Sequence, residues 1–138
     1  MKLIIQTDGA ADPNPGPASI GAVIKDESGR VVSRVSRYIG EATNNQAEYR
    51  AIIAALERAK ELGASRIELH SDSELIVRQL SGQYRVKSAS IAALYFRVNR
   101  LRESFTEFRL KHMPGVENEA HVLAQAALKR ASARGQGS

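Results

Sequence analysis

Two β-rich segments of this chain run into an aspartate. Asp8 follows LIIQT and Asp72 follows IELHS, and each is succeeded at once by a turn or helix start, Gly9 and Ser73. A third carboxylate sits in a helical pattern. Stepping from Glu48 at helical spacing meets Ile52, Ala55, Ala59 and Leu62, so a glutamate heads the apolar stripe that should face the rest of the fold. Ionised glutamate is rarely buried without a partner. Three carboxylates converging on one crevice would repel one another unless a cation neutralised them, and a hard divalent ion taking oxygen ligands, Mg²⁺ first, suits that set. Each residue also has a plainer reading. Aspartate is a common turn and N-cap residue, and a glutamate in a first helical turn favours the helix dipole.

Those residues need strand ends and a helix start to carry them. KLIIQT reads as a first strand, and AADPNPGPAS as a Gly/Pro loop. IGAVIKD and RVVSRVSRYI alternate as two strands of a hairpin turning at ESGR. NNQAEYRAIIAALERAKELG predicts a long helix with Asn44 or Asn45 as N-cap and Gly63 as its stop. RIELHSD is a short strand, SELIVRQLSG a short helix, SASIAALYFRVNRLRESF a further helix and EFRLKHM a last strand. The final helix is expected from about Glu117 to Ala133, with His121 at the edge of its packed face beside Ala124 and Leu128. The order predicts an α/β fold, a mixed sheet with helices on its faces, whose ligands bind beyond the carboxyl ends of the strands.

Composition narrows the classes. The 138 residues suit one domain, expected over 1–133 with a Gly/Ser-rich flexible tail over 134–138. A net charge of +5 leans towards an anionic partner such as nucleic acid. The absence of cysteine excludes disulfides, zinc-thiolate sites and thiol nucleophiles. The opening apolar run is too short for a signal peptide and no stretch could span a membrane, so the expected compartment is the cytoplasm.

Four segments, in order, resemble type 1 ribonuclease H: TDGAADPNPGPASIGAVI, TNNQAEYRAIIAALE, LHSDSELIVRQL and HMPGVENEAHVLAQAAL. The resemblance covers nearly the whole chain. It implies a ribonuclease H-like fold of five strands, three antiparallel and then parallel, flanked by helices. It also implies metal-dependent endonucleolytic cleavage of the RNA strand of an RNA/DNA hybrid by a monomer, through two Mg²⁺ ions, with Mn²⁺ as substitute. Asp8, Glu48 and Asp72 match three of that family's four metal-binding acids. His121 stands where the fourth should be, and is expected beside the metals. His112 matches a loop histidine tied to proton transfer or product release. Gly9, Asn14, Thr43, Asn44, Asn45 and Asn118 match positions that hold the substrate, Gly9 by letting backbone approach a sugar, and Asn118, just before the final helix, is also expected to cap that helix and support the site. The chain departs from better-known bacterial members in a second respect: SGQYRVKSASIAALYF is too short to hold their basic protrusion. Two other readings stay open at this point: a hybrid-binding module with weak or lost catalysis, and a nuclease that also cuts RNA duplexes.

Overall fold

A computed structural model describes residues 1–136. Its elements are β1 (Lys2–Ala11), β2 (Gly16–Asp26), β3 (Val31–Ala42), α1 (Asn44–Glu61), β4 (Arg66–Ser71), α2 (Glu74–Leu80), α3 (Ala89–Arg102), β5 (Glu107–His112), a 3₁₀ turn (Gly115–Glu117) and α4 (Ala120–Gln136). The expected order of strands and helices holds throughout. The sheet runs β3-β2-β1-β4-β5, with β1 antiparallel to β2, β2 antiparallel to β3, and the pairs β1–β4 and β4–β5 parallel. No helix among the described residues is long and apolar enough to cross a membrane.

Side-chain alternation sorts the layers. Leu3 and Ile5 of β1, Ile20, Ala22 and Ile24 of β2, and Ile67 and Leu69 of β4 join Ile52, Leu56 and Ala59 of α1 and Val98 of α3 in the main core. Burying each such aliphatic side chain contributes about 1.5–3 kcal/mol. The other face is covered over β1–β3 by α4, whose Ala120, Ala124, Ala127 and Leu128 are buried. Small residues there let α4 lie close to the sheet. The Ser19 hydroxyl donates to the Ala124 carbonyl, and the Ser36 hydroxyl donates to the Leu123 carbonyl at 2.7 Å, so β2 and β3 each grip that helix.

Several boundaries differ from the sequence reading. β1 continues three residues past Asp8, because Gly9, Ala10 and Ala11 pair with Ile20, Ser19 and Ala18 of β2. β3 likewise extends to Ala42. The N-cap of α1 is Thr43, one residue before the expected asparagines: its hydroxyl accepts from Gln46 N–H while the Gln46 side chain accepts from Thr43 N–H, a complete capping box. α4 begins at Ala120, after the 3₁₀ turn, and extends to Gln136. Of the tail expected over 134–138, residues 134–136 are therefore helical, and residues 137–138 lie outside the described part.

Candidate active site

The register of the parallel strands brings two of the acids together. Pairing of β1 with β4 ends at Thr7 opposite Ser71, so Asp8 and Asp72 are the next residue of each chain segment. Asp8 is not at the end of its own strand, as the sequence suggested. It lies inside β1, opposite Gly21 of β2. What ends there is β4, and the crevice opens where β4 departs.

Glu48 arrives from above, on α1 just past its first turn, which holds no acidic residue, and not within that turn as the sequence suggested. A Cβ on Gly9 would lie 2.2 Å from the Ala47 carbonyl carbon and 2.5 Å from the Glu48 nitrogen. Only glycine lets the helix start press this closely on β1. Gly9 is buried, and its open side serves helix packing. With the helix so placed, carboxylate oxygens of Asp8, Glu48 and Asp72 all lie within 4.8 Å of one another.

That crowding shows in the protonation of the site. Burial first, then the charges of Asp8 and Asp72 and a hydrogen bond with Asp8, push the Glu48 carboxyl up to about 9. Asp8 is raised as well: burial and the Asp72 charge outweigh the contact with His121. A metal-free crevice therefore retains a proton near neutrality. Hard oxygen donors that disfavour their own negative charge are the donor set a divalent cation relieves.

The remaining predicted residues sort by contact. His121, on the first turn of α4, places Nδ1 2.8 Å from Asp8 Oδ2 while its side chain stays 54% exposed. The surface position and the approach to the acids are thus both real. With Asp8 ionised, Nδ1–H donates and Nε2 remains free to accept. The approach depends on a second glycine that the sequence reading passed over. A Cβ on Gly21 would lie 2.3 Å from the Ala120 oxygen and 2.7 Å from the Ala124 nitrogen. Gly21 on one face and Gly9 on the other thus let two helix starts converge on Asp8. Nothing local in the sequence marks Gly21, since its role appears only once α4 is laid across β2.

Asn118 is 4% exposed and supports the site from within, as expected of a residue just before the last helix. Its Nδ2 donates to the Thr7 carbonyl at 2.8 Å and to Asp72 Oδ2 at 3.0 Å, while its Oδ1 accepts from Ala120 N–H at 3.1 Å. One side chain so caps α4, holds β1 where its pairing with β4 ends and fixes Asp72. His112 ends β5, is exposed, and sets Nε2 3.2 Å from the Asp72 carbonyl oxygen. It borders the acids without joining them.

Asn14, Thr43, Asn44 and Asn45 gather at a neighbouring hollow of about 530 Å³, also lined by Ser88 and Ser90 of α3's start. Asn44 bridges two segments. Its Oδ1 accepts from Ala11 N–H at 2.7 Å, and its N–H donates to Asn14 Oδ1 at 3.0 Å. Asn45 and the amide nitrogens of Asn14 and Asn44 are left for a ligand, whereas the Thr43 hydroxyl is committed to its cap. The contribution of Ser88 and Ser90 has no signal in the sequence, because it depends on α3 folding back beside α1.

Comparison with known proteins gives a coherent set. A family described as reverse transcriptase-like matches residues 6–127. A ribonuclease HI of Halobacterium salinarum is 42% identical over 122 residues, 88% of this chain and 61% of the relative. This chain thus spans about three fifths of that relative's length. A solved ribonuclease H1 from the same halophilic archaeon has a TM-score of 0.92 at 39% identity, covering 94% of this chain and 99% of that one. The LC11 ribonuclease H1, solved in complex with an RNA/DNA hybrid, has a TM-score of 0.89 at 40% identity, covering 94% and 98%.

Proposed function

Because this chain belongs to the type 1 ribonuclease H family, we propose that it is a metal-dependent endoribonuclease that cleaves the RNA strand of RNA/DNA hybrids. The observation that carries the reading is the meeting of Asp8, Glu48 and Asp72 within 4.8 Å at the point where β4 leaves β1. These three residues would hold the ions, with His121 in reach of one of them. Two Mg²⁺, or Mn²⁺ in their place, would supply water activation and stabilisation of the leaving 3′ oxygen, giving 5′-phosphate and 3′-hydroxyl ends.

The protein's own groups have definable tasks in this scheme. Asn118 keeps the Asp72 carboxylate from turning away, and Gly9 and Gly21 keep the helices that carry Glu48 and His121 close to Asp8. His112, exposed beside the Asp72 carbonyl, would take up or release a proton at its imidazole as products leave. The amides at Asn14, Asn44 and Asn45 would hold phosphate and sugar edges. The backbone near Glu48 would sense the 2′-hydroxyl that separates RNA from DNA.

One observation favours a second reading. His121 already engages a carboxylate oxygen of Asp8, which would weaken ion binding and leave a hybrid-binding module with little catalysis. Incubating labelled hybrid, RNA duplex and DNA duplex with Mg²⁺ and then Mn²⁺ tests the proposal. Cutting of the hybrid RNA alone is expected. Cutting of RNA duplex as well would broaden the substrate class, and binding without cutting in either metal would favour the module.

A further inference from the structure

Part of the charge on the surface of this protein is neutralised locally. Lys25 pairs with Glu119 at 2.8 Å, Arg78 with Glu74 at 2.6 Å, Arg97 with Glu57 at 2.8 Å and Arg109 with Glu107 at 2.7 Å. Among the described residues other exposed basic side chains, such as Arg30, Lys60, Arg85, Lys87, Arg100 and Lys129, also make no ion pair, but they are spread over several elements, whereas four arginines gather at one edge. Arg34 and Arg37 of β3, Arg50 of α1 and Arg130 of α4 are exposed, and among the described residues none makes an ion pair with a carboxylate. The strand's single acid, Glu41, lies near its far end.

The four arginines come from three elements and are gathered onto one strand. Arg50 donates to the Ile39 carbonyl at 3.3 Å, and Arg130 donates to the Ser36 hydroxyl at 3.1 Å. β3 is an outer strand with β2 as its only neighbour among the described residues. Charges on an outer strand commonly deter pairing with another chain. That accounts for Arg34 and Arg37 but not for helix residues held against the strand from either side of the sheet.

Their place relative to the acids is fixed by register. Asp8 lies opposite Gly21, and Gly21 opposite Ser36. Ser36, which carries Arg130, is therefore two strand spacings from Asp8, about 10 Å at the Cα positions. A duplex whose backbone carries a charge about every 1.7 Å of axis, held with one phosphate at the crevice, has others within reach of that edge. An acidic peptide could also meet these charges, but nothing would relate its position to the crevice.

We propose that the arginines of the β3 edge, Arg34, Arg37, Arg50 and Arg130, are a second grip on the phosphate backbone of a duplex held at the acidic crevice. The proposal rests on the hybrid-cleaving reading. It assigns to this edge part of the hold that a basic protrusion supplies in better-known relatives.

The test compares the wild-type chain with a triple variant, Arg34→Gln, Arg37→Gln and Arg130→Gln, and a control, Lys60→Gln with Arg100→Gln, at the far end of α1 and on α3. Anisotropy of a labelled RNA/DNA hybrid in EDTA gives affinity as a function of salt, and turnover in Mg²⁺ gives kcat and KM. The triple variant should raise KM at least severalfold with kcat unchanged. It should also lower the slope of log affinity against log salt by about 2–3, near 0.9 for each phosphate that is no longer neutralised. The control should change neither. A triple variant with wild-type KM and salt slope, or one no different from the control, overturns the proposal. A wild-type chain that cuts the hybrid while the triple variant is indistinguishable sinks this inference alone, whereas a wild-type chain that neither binds nor cuts it sinks the enzymatic reading as well.

Discussion

Replacing Asp8 or Asp72 by asparagine removes one negative charge from a crevice whose carboxylate oxygens lie within 4.8 Å of one another. Each variant should lose cleavage while keeping its fold, and in EDTA each should melt at a higher temperature than the wild type, which calorimetry would check. Glu48 supplies a pH signature of the same crowding. Its folded-state value of about 9 stands above the ordinary 4.5. The stability it contributes is complete below 4.5 and is lost as pH rises towards 9, because the unfolded chain ionises first. Asp8 acts in the same sense. The metal-free protein should therefore melt lower at pH 9 than at pH 5, and Glu48→Gln should flatten that slope. A wild-type melting temperature that climbs steadily over this range would show that the crevice is not crowded in solution. At His121, imidazole is a poor ligand for Mg²⁺ and a fair one for Mn²⁺. The wild type should gain more from Mn²⁺ than the His121→Asp variant, which should need less Mg²⁺ for half-maximal rate. An unchanged metal dependence would leave His121 as a surface partner of Asp8 and nothing more.

The elements are legible wherever their signals are local. The order of five strands and four helices, the hairpin at ESGR and the helix behind Glu48 all follow from periodicity and turn chemistry. What escapes depends on residues distant in sequence. Gly9, Ala10 and Ala11 look like loop because they are small, and only pairing with β2 makes them strand. Three adjacent residues could cap α1, and Gln46 decides for Thr43 by completing the box. Asn118 caps α4 and supports the site as its place before that helix suggests, but its bond to Asp72 appears only once the chain is folded. Gly21 is invisible until α4 is placed. Its substitution measures how far helix docking governs the site. Gly21→Ala forces a Cβ into backbone atoms that cannot swing aside, and overpacking of this kind costs about 1–3 kcal/mol. The melting temperature should drop accordingly, and turnover should fall further than the lost stability explains, measured well below the melting transition. Ser36→Ala, which loosens the same helix away from Asp8, should lose stability with little change in kcat. Equal kcat in both glycine and serine variants would contradict this division.

At the scale of the whole molecule, two faces of one sheet deliver a helix start each to a single strand position. Sequence identity and superposition with ribonucleases H cover nearly the whole chain, and the acids fall where the strands of that fold part. As proposed, this arrangement would cleave RNA opposite DNA and recognise the 2′-hydroxyl in doing so. The most direct measurement uses an end-labelled hybrid in Mg²⁺, beside the same hybrid whose RNA strand is 2′-deoxy on both sides of one phosphate that is otherwise cut. The products are then read for position and end chemistry. Cuts should be confined to the RNA strand and end in 5′-phosphate and 3′-hydroxyl, with the modified phosphate left intact and all cutting lost in Asp8→Asn. Equal cutting at the modified phosphate, cutting of the DNA strand, or full activity in Asp8→Asn would contradict the proposal.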